Sequence, residues 1–393
     1  MATAEFITKC DLSPTIEKSL QDIIRNEGFI KHMKYERAIN TNGGNYLGDL
    51  FEVDIKGKTT DGDKETNLFI KRIIDCGGIN IISAEVLQNR EILAYRDLYT
   101  LCTELMDEAD VPECDRFQQV KCYDANSEVL IFENLAVKGF KTLDRTTPLT
   151  LEYAELAIKQ LAKFHGLSFV LQKKRPEYFN ARIKTLDFPI VFNDEYYDLL
   201  HSFFDINCEL LEGDAAKKVK ASFDKIFNMD KFFQSDRQRV LCHGDYRTNN
   251  LLVKEVEGKL VDIMPVDFQI IYFGNPMNDF FYLLVPHSDQ EFRRKHLSSL
   301  KELYYETLTR FLKYFGIDVA TVYSRQDLDS DYEESIGYGL CSSMMLLSFL
   351  FAREDATLSV NELEDLNKKV RLQDGAKDRI RGIVDDYINW GII

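Results

Sequence analysis

The sequence predicts an α+β chain in two lobes, a small strand-rich one followed by a larger, mainly helical one. Three observations carry that expectation. Apolar strand patterns crowd the first third of the 393 residues, at 33–39, 51–56, 68–74 and 129–132. Helical apolar stripes dominate the remainder, at 196–211, 215–229, 289–315, 332–353 and 360–387. A chain of this length also exceeds what one small core organises, so a division into residues 1–135 and 136–393 is expected.

In chain order, residues 12–30 read as a helix, with Ile16, Leu20, Ile23 and Ile24 on one stripe and Asn26-Glu27-Gly28 ending it. Strand 33–39 leads into a loop, Asn42 to Gly48, holding Gly44, Asn45 and Tyr46. The next strand alternates Phe51, Val53 and Ile55 with Glu52, Asp54 and Lys56. Taken alone, the glycine-bearing loop between these strands reads as an ordinary hairpin turn. The same glycines would also let backbone amides approach phosphates closely. In strand 68–74, Lys71 stands among large apolar residues. It reads either as a snorkelling edge lysine or as an ammonium gripping phosphates.

A helix over 83–105 puts Leu87, Glu91 and Tyr95 at i, i+4 and i+8, so Glu91 lies on a partly apolar face. A carboxylate there needs a cation, and Lys71 competes for it with a simple salt bridge near Arg90. Strand 129–132 runs into Glu133-Asn134-Leu135, a polar connector at the lobe boundary whose backbone could pair with an adenine edge. Residues 138–150 read as linker, and a helix starting at N-cap Thr150 reaches Phe164-His165-Gly166. His165, in that helix's last turn, is expected to be structural, tying helix to loop.

The most informative stretch is Val240 to Val253, two apolar strands gripping a loop with His243, Asp245 and Asn250. A carboxylate followed five positions later by an amide suits phosphoryl transfer: the acid accepts a proton from the attacking hydroxyl, and the amide ligates the nucleotide's metal. Asp267, at the end of the strand near 260–267, is the natural second ligand. Oxygen donors of this kind fit a magnesium–phosphate complex.

Composition narrows the class. Hydrophobic residues make up 45%, with 27 Phe and 19 Tyr, as in a packed globular protein. A net charge of −16 and a pI near 5.0 argue against a broad nucleic-acid or anionic-membrane surface. Eight scattered cysteines without a C-x-x-C pair suggest free thiols in a reducing, cytoplasmic compartment. Glu5, Lys9 and Asp11 interrupt the N-terminus, so no secretory signal is expected. The longest apolar run, Leu340 to Ala352, holds three serines, is too short to span a bilayer, and reads as a buried core helix rather than a pocket lining.

In combination Lys71, Glu91, His243-Gly244-Asp245…Asn250 and Asp267-Phe268-Gln269 follow the order of the protein-kinase-like fold. The His-Gly-Asp form resembles its small-molecule branch, the aminoglycoside and choline phosphotransferases. Asp-Phe-Gln-Ile-Ile-Tyr and the following Gly274-Asn275-Pro276-Met277-Asn278-Asp279-Phe280 resemble the ecdysteroid kinase-like family. So do Gly44-Asn45-Tyr46, the Glu91…Tyr95 helix, Glu133-Asn134-Leu135 and Leu161 to His165, from about residue 40 to 350. The resemblance implies ATP and Mg2+ as cofactors, with Asp245 as catalytic aspartate and Asn250 and Asp267 as metal ligands. Lys71 and Glu91 would position the nucleotide, together with the Gly44-Asn45-Tyr46 loop and the Glu133–Leu135 connector. It implies transfer of a γ-phosphate to an alcohol, an ecdysteroid or a xenobiotic.

Three positions depart from the family pattern. Arg247 stands where many relatives have an aromatic, to meet substrate or face solvent. Asn134 replaces an acid and leaves the connector's contacts to backbone atoms. Gln269 replaces the glycine behind protein-kinase switching, which suggests a constitutively formed enzyme. Asp279 either braces the catalytic loop or lies at the surface. Rival readings are a choline or ethanolamine kinase, disfavoured because the only tryptophan, Trp390, lies near the C-terminus, and a non-catalytic binding protein, disfavoured because Lys71, Asp245, Asn250 and Asp267 are all present. Nothing in the sequence sets an oligomeric state.

Overall fold

A computed structural model describes residues 12–39, 48–73, 81–233, 239–352 and 372–393. The Gly44-Asn45-Tyr46 loop, and the first part of the helix expected over 360–387, lie outside the described residues.

Five strands build the N-terminal sheet: β1 (Lys31–Ile39), β2 (Gly48–Thr59), β3 (Gly62–Ile73), β4 (Cys122–Ala125) and β5 (Val129–Glu133). They are antiparallel in the order β1-β2-β3-β5-β4. Helix α1 (Pro14–Asn26), capped by the Ser13 hydroxyl, lays its predicted stripe on one face of the sheet. There Ile16, Leu20, Ile23 and Ile24 meet Phe51, Val53, Ile55, Leu68, Ile70, Val129 and Ile131. Burying each such side chain contributes about 1.5–3 kcal/mol. The continuous apolar run of β5 has a cause in this layering. Val129 and Ile131 face α1, while Leu130 and Phe132 join the larger core on the other side.

On that second face lie α2 (Ala84–Ile92), a π-helical turn (Leu93–Leu98) and α3 (Tyr99–Glu108). One continuous helix was the expectation for 83–105. The chain instead widens at Leu93–Leu98, and with it Tyr95 is turned toward the large core.

The C-terminal lobe is mainly helical. Helix α4 (Leu151–Lys174) runs past the expected stop at 164–166, so His165 sits in mid-helix rather than in its last turn. Gly166 does not end the helix. A Cβ there would come within 2.8 Å of the Phe311 ring, so the glycine admits a neighbouring helix. The expected linker 138–150 contains β6 (Phe140–Lys141), which pairs with β8 (Leu251–Val256), itself paired with β9 (Lys259–Pro265). Strand β7 (Val240–Cys242) pairs with β10 (Tyr272–Gly274), a strand too short for periodicity to reveal.

Helix α5 (Asp194–Cys208) agrees with expectation, whereas 215–229 breaks into short pieces, Gly213–Ala221, Phe223–Ile226 and Met229–Phe233. Phe223 and Phe227 there turn inward onto Phe204 of α5. Helix α6 (Pro276–His287), absent from the expectation, is buried along its whole length. Helices α7 (Gln290–Tyr314), α8 (Arg325–Leu350) and α9 (Ala376–Asn389) complete the lobe. Helix α8 begins seven residues earlier than the expected 332, at a capping box between Ser324 and Asp327. Its end from Leu340 onward, with Phe351 and Ala352 just beyond it, packs into the core. No helix among the described residues is long and apolar enough to cross a membrane.

Candidate active site

The central position of β3, between β2 and β5, disposes of the edge-lysine reading of Lys71. Lys71 and Phe69 share a face by the strand's period of two, and that face looks toward α2. Lys71 Nζ lies 2.7 Å from Glu91 Oε2 and 3.4 Å from Asp267 Oδ1. Burial opposes the ammonium's charge, but Glu91 and Asp267 outweigh it and raise the Lys71 pKa above its ordinary value. Burial pushes the Glu91 carboxyl upward, against the pull of Lys71. Arg90, the competing partner, instead donates to the Ile271 carbonyl.

Asp267 follows β9 with φ 68°, a left-handed backbone that a non-glycine residue adopts only under constraint. Its N–H donates to the Tyr95 hydroxyl at 2.7 Å, and Gln269 Nε2 donates to its Oδ2 at 3.3 Å. Phe268 is buried against Tyr95, Tyr99, Phe164 and His243. Tyr95, one turn after Glu91 and facing the same core, thus ties helix and loop together.

The 243–250 loop is held from three sides. Asn250 Nδ2 donates to the Asp245 carbonyl at 3.0 Å and to Asp245 Oδ2 at 2.8 Å. Asp245 N–H donates to His243 Nδ1 at 3.3 Å, and His243 Nε2 donates to the Val266 carbonyl at 3.1 Å, which fixes a neutral tautomer. Burial lowers the His243 pKa, in keeping with that state. Val266 N–H donates to the Asn250 carbonyl at 2.9 Å, so the loops carrying Asp245, Asn250 and Asp267 are cross-linked. Gly244 has φ 78°, and a Cβ there would lie 2.4 Å from the Ile270 carbonyl oxygen. Any larger residue at that position requires the loop to shift.

The third side is α6, and sequence reasoning missed most of its contribution. Asp279 is buried, which settles its open reading in favour of a brace: Oδ2 accepts from His243 N–H at 2.6 Å and Oδ1 from Gly244 N–H at 2.9 Å. His165 Nε2 donates to Asp279 Oδ2 at 3.2 Å, while Tyr304 donates to His165 Nδ1 at 2.9 Å. His165, Cys242 and Asp279 lie near enough together to suggest a metal cage. The three N–H donors already aimed at Asp279 oppose a cation there. One turn on, at i+3, Tyr282 donates its hydroxyl to Asp245 Oδ1 at 2.7 Å. The available signals were Asn275-Pro276, an N-cap and first-turn proline, and the 279/282 spacing on one helix face.

Arg247, left open between substrate and solvent, turns back so that Nε lies 3.1 Å from the Asp245 carboxylate. Burial raises the Asp245 pKa, but Arg247, Tyr282, His243 and Asn250 more than offset it, and the carboxyl lies below its ordinary value. A carboxylate kept ionised in this way can accept a hydrogen bond from a hydroxyl. Because Asn250 uses its nitrogen on Asp245, its carbonyl oxygen is the end left for a cation. That oxygen and the Asp267 carboxylate are hard donors of the kind that suit Mg2+.

The connector is pinned more firmly than expected. Glu133 N–H donates to the Lys121 carbonyl and Asn134 N–H to the Asn67 carbonyl, both at 2.9 Å. Glu133's carboxylate takes Lys121 N–H at 3.0 Å and pairs with Lys138. Asn134 Nδ2 reaches Glu52 at 3.0 Å, so its side chain staples the connector to β2. Leu135 is buried, and its carbonyl accepts from Lys138 and Phe140 N–H. Trp390 packs on Tyr387 of α9.

A sheet-borne lysine paired to a helix glutamate, with two cross-linked loops beneath, defines a bilobal protein-kinase-like fold. The chain belongs to the ecdysteroid kinase-like family, whose model matches residues 42–317. That membership supports phosphotransferase activity on a small molecule and implies use of ATP. No curated protein matches the chain significantly. Among solved structures, the GDP complex of wild-type aminoglycoside 2'-phosphotransferase-IIIa is 12% identical, with a TM-score of 0.37, covering 96% of this chain and 99% of that one. The GDP complex of a mutant of that enzyme is 11% identical, with a TM-score of 0.38 and coverage of 95% and 97%. A choline/ethanolamine kinase family protein from Mesorhizobium loti is 12% identical, with a TM-score of 0.31 and coverage of 94% and 99%.

Proposed function

We propose that the protein is an ATP- and Mg2+-dependent kinase that transfers the γ-phosphate to an alcohol hydroxyl of a small molecule, an ecdysteroid or a related steroid or xenobiotic alcohol. The observation that carries this reading is the Asp245–Asn250 hydrogen-bonded pair, cross-linked through Val266 and His243 to the Asp267–Lys71–Glu91 chain. In it Asp245 accepts the hydrogen bond of the acceptor hydroxyl, aligns its oxygen for in-line attack, and takes its proton as the bond to phosphorus forms. Asn250 and Asp267 would hold Mg2+, which would supply charge neutralisation on the phosphate oxygens. Lys71, kept charged and oriented by Glu91, grips the α and β phosphates. The backbone between Glu133 and Leu135 meets the base.

A low pKa on Asp245 suits this role. It orients the hydroxyl in its ionised form at neutral pH and accepts the proton late, when phosphoryl transfer has made the oxygen acidic. The test is incubation with MgATP and a mixed panel of steroid, xenobiotic and amino-alcohol acceptors, with added phosphate read by mass spectrometry. Asp245→Asn is expected to keep nucleotide binding while turnover falls at least ~10²-fold, the low end for losing a general base. Near-normal turnover in that variant removes Asp245 from the role. Preferential phosphorylation of choline over every steroid alcohol overturns the acceptor class.

A further inference from the structure

We propose that the hydroxyl of Tyr282 is a built-in stand-in for the acceptor hydroxyl, occupying Asp245 Oδ1 and excluding water until an alcohol displaces it. The inference rests on the reading of Asp245 as the base.

The geometry is that of an acceptor poised on its base. A general base works on a hydroxyl within about 2.6–3.2 Å, and Tyr282 places one at 2.7 Å. The carboxylate has little room for a second. It offers about four lone-pair positions. Oδ2 takes Asn250, Arg247 Nε lies 3.1 Å from both oxygens, and Oδ1 takes Tyr282. Asn250 and Arg247 belong to the loop itself, within five residues of Asp245, so Tyr282 is the donor delivered from another element. Its ring is backed by the parallel ring of Tyr338 on α8, with centroids 6.2 Å apart, and both side chains are buried.

The chemistry of phosphoryl transfer supplies a reason for such a group. Water is the ever-present rival of any alcohol acceptor, and a base left open to it makes a kinase an ATPase. A tethered phenol competes at high effective concentration and is a stronger hydrogen-bond donor than water or an aliphatic alcohol. Water and very small alcohols therefore fail to displace it. An acceptor with a large apolar body succeeds, because binding energy from its non-reacting part drives the exchange. Tyr282 thus acts through Asp245 as a positioning residue, and it selects bulky alcohols over water and glycerol.

The test uses the full chain with MgATP and no acceptor, following ADP release. Tyr282→Phe removes one oxygen and keeps the ring and its stack. It is expected to raise acceptor-independent ADP release at least ~5-fold and to make glycerol a detectable acceptor. Replacing Tyr282 by 4-aminophenylalanine, whose ring amine can donate to Oδ1 from the same position, is expected to return ADP release toward the wild-type level. Unchanged or lower ADP release in Tyr282→Phe overturns the proposal, as does equally high release in both variants. Asp245→Asn in the same assays separates the two ideas: if it abolishes transfer while Tyr282→Phe leaves ADP release unchanged, the stand-in fails and the base stands. If Asp245→Asn transfers phosphate normally, the reading of Asp245 itself fails.

Discussion

Replacing Asp279 by alanine tests how the 243–250 loop is held. The substitution takes the acceptor from three donors at once, His243 N–H at 2.6 Å, Gly244 N–H at 2.9 Å and His165 Nε2 at 3.2 Å. All three residues and Asp279 itself are shielded from solvent. A hydrogen bond to a charged acceptor contributes about 1.5–3 kcal/mol, and a buried donor left unpaired costs about 1–3 kcal/mol. A water admitted to the vacated space would recover part of this, so the net loss for three donors is about 3–6 kcal/mol. At about 2.1 cal/mol/K per residue over 393 residues, that lowers the melting temperature by roughly 4–7 °C. Turnover, measured at a temperature where the variant stays folded, is expected to fall ~10²-fold, the size of effect that a 1 Å misplacement of a catalytic group produces. Asp279→Asn keeps the shape and one acceptor oxygen but turns an NH2 toward an N–H, and should fall between. Thermal unfolding followed by circular dichroism, beside steady-state kinetics, decides the matter. A melting temperature within about 1 °C of wild type, with kcat unchanged, would refute the brace.

Three further perturbations follow from the same geometry. Lys71→Met leaves Glu91 buried without its cation and should destabilise the fold by about 3–5 kcal/mol while weakening ATP binding at least ~10-fold; denaturant unfolding as stable as wild type would contradict the pairing. Arg247→Gln removes the largest influence lowering the Asp245 pKa, so the acid limb of log kcat/KM should rise from its wild-type position. The sign holds for stability too: a depressed carboxylate stabilises the fold above its unfolded pKa and loses that contribution as pH falls through the folded one. A profile identical to wild type throughout the acid limb, in activity and in melting temperature, would deny Arg247 that influence. Gly244→Ala imposes a left-handed alanine and a Cβ 2.4 Å from the Ile270 carbonyl oxygen, at a cost of about 2–4 kcal/mol. An unshifted melting temperature would show that the loop can yield there.

How much of this the sequence disclosed depends on the range of the interaction. Asp245 and Asn250 are local neighbours, and their spacing alone announced the pair. Lys71 and Glu91 could each be placed on a face by period. Whether β3 was central or an edge depended on its pairing with β5, some sixty residues downstream, and so did the choice between a gripping lysine and a snorkelling one. Asp279 and Tyr282 were harder still, because their roles come from α6 packing against the 243–250 loop. Nothing in a residue type separates a buried, accepting aspartate from a solvated one. Gly166 misled for a related reason: in sequence it looks like a helix terminator, while in the fold it makes room for Phe311.

The missing glycine at 269 acquires a structural meaning here. Phe268 meets four aromatic rings with centroids 4.6–5.6 Å away, His243 among them. Asp267 N–H is clasped by Tyr95, and its side chain is held by Lys71 and Gln269. At about 0.5–1.5 kcal/mol per aromatic pair beyond area burial, swinging Phe268 out would forfeit roughly 2–6 kcal/mol before the Tyr95 bond is counted. That exceeds the 1–3 kcal/mol stored in the left-handed backbone of Asp267, so relief of strain does not drive the loop outward. Gln269 meanwhile donates to Asp267, a contact a glycine could not make. The site is therefore assembled by packing that exists before any ligand arrives. Selection then falls to what displaces Tyr282 from Asp245, because the loops themselves have nowhere easier to go.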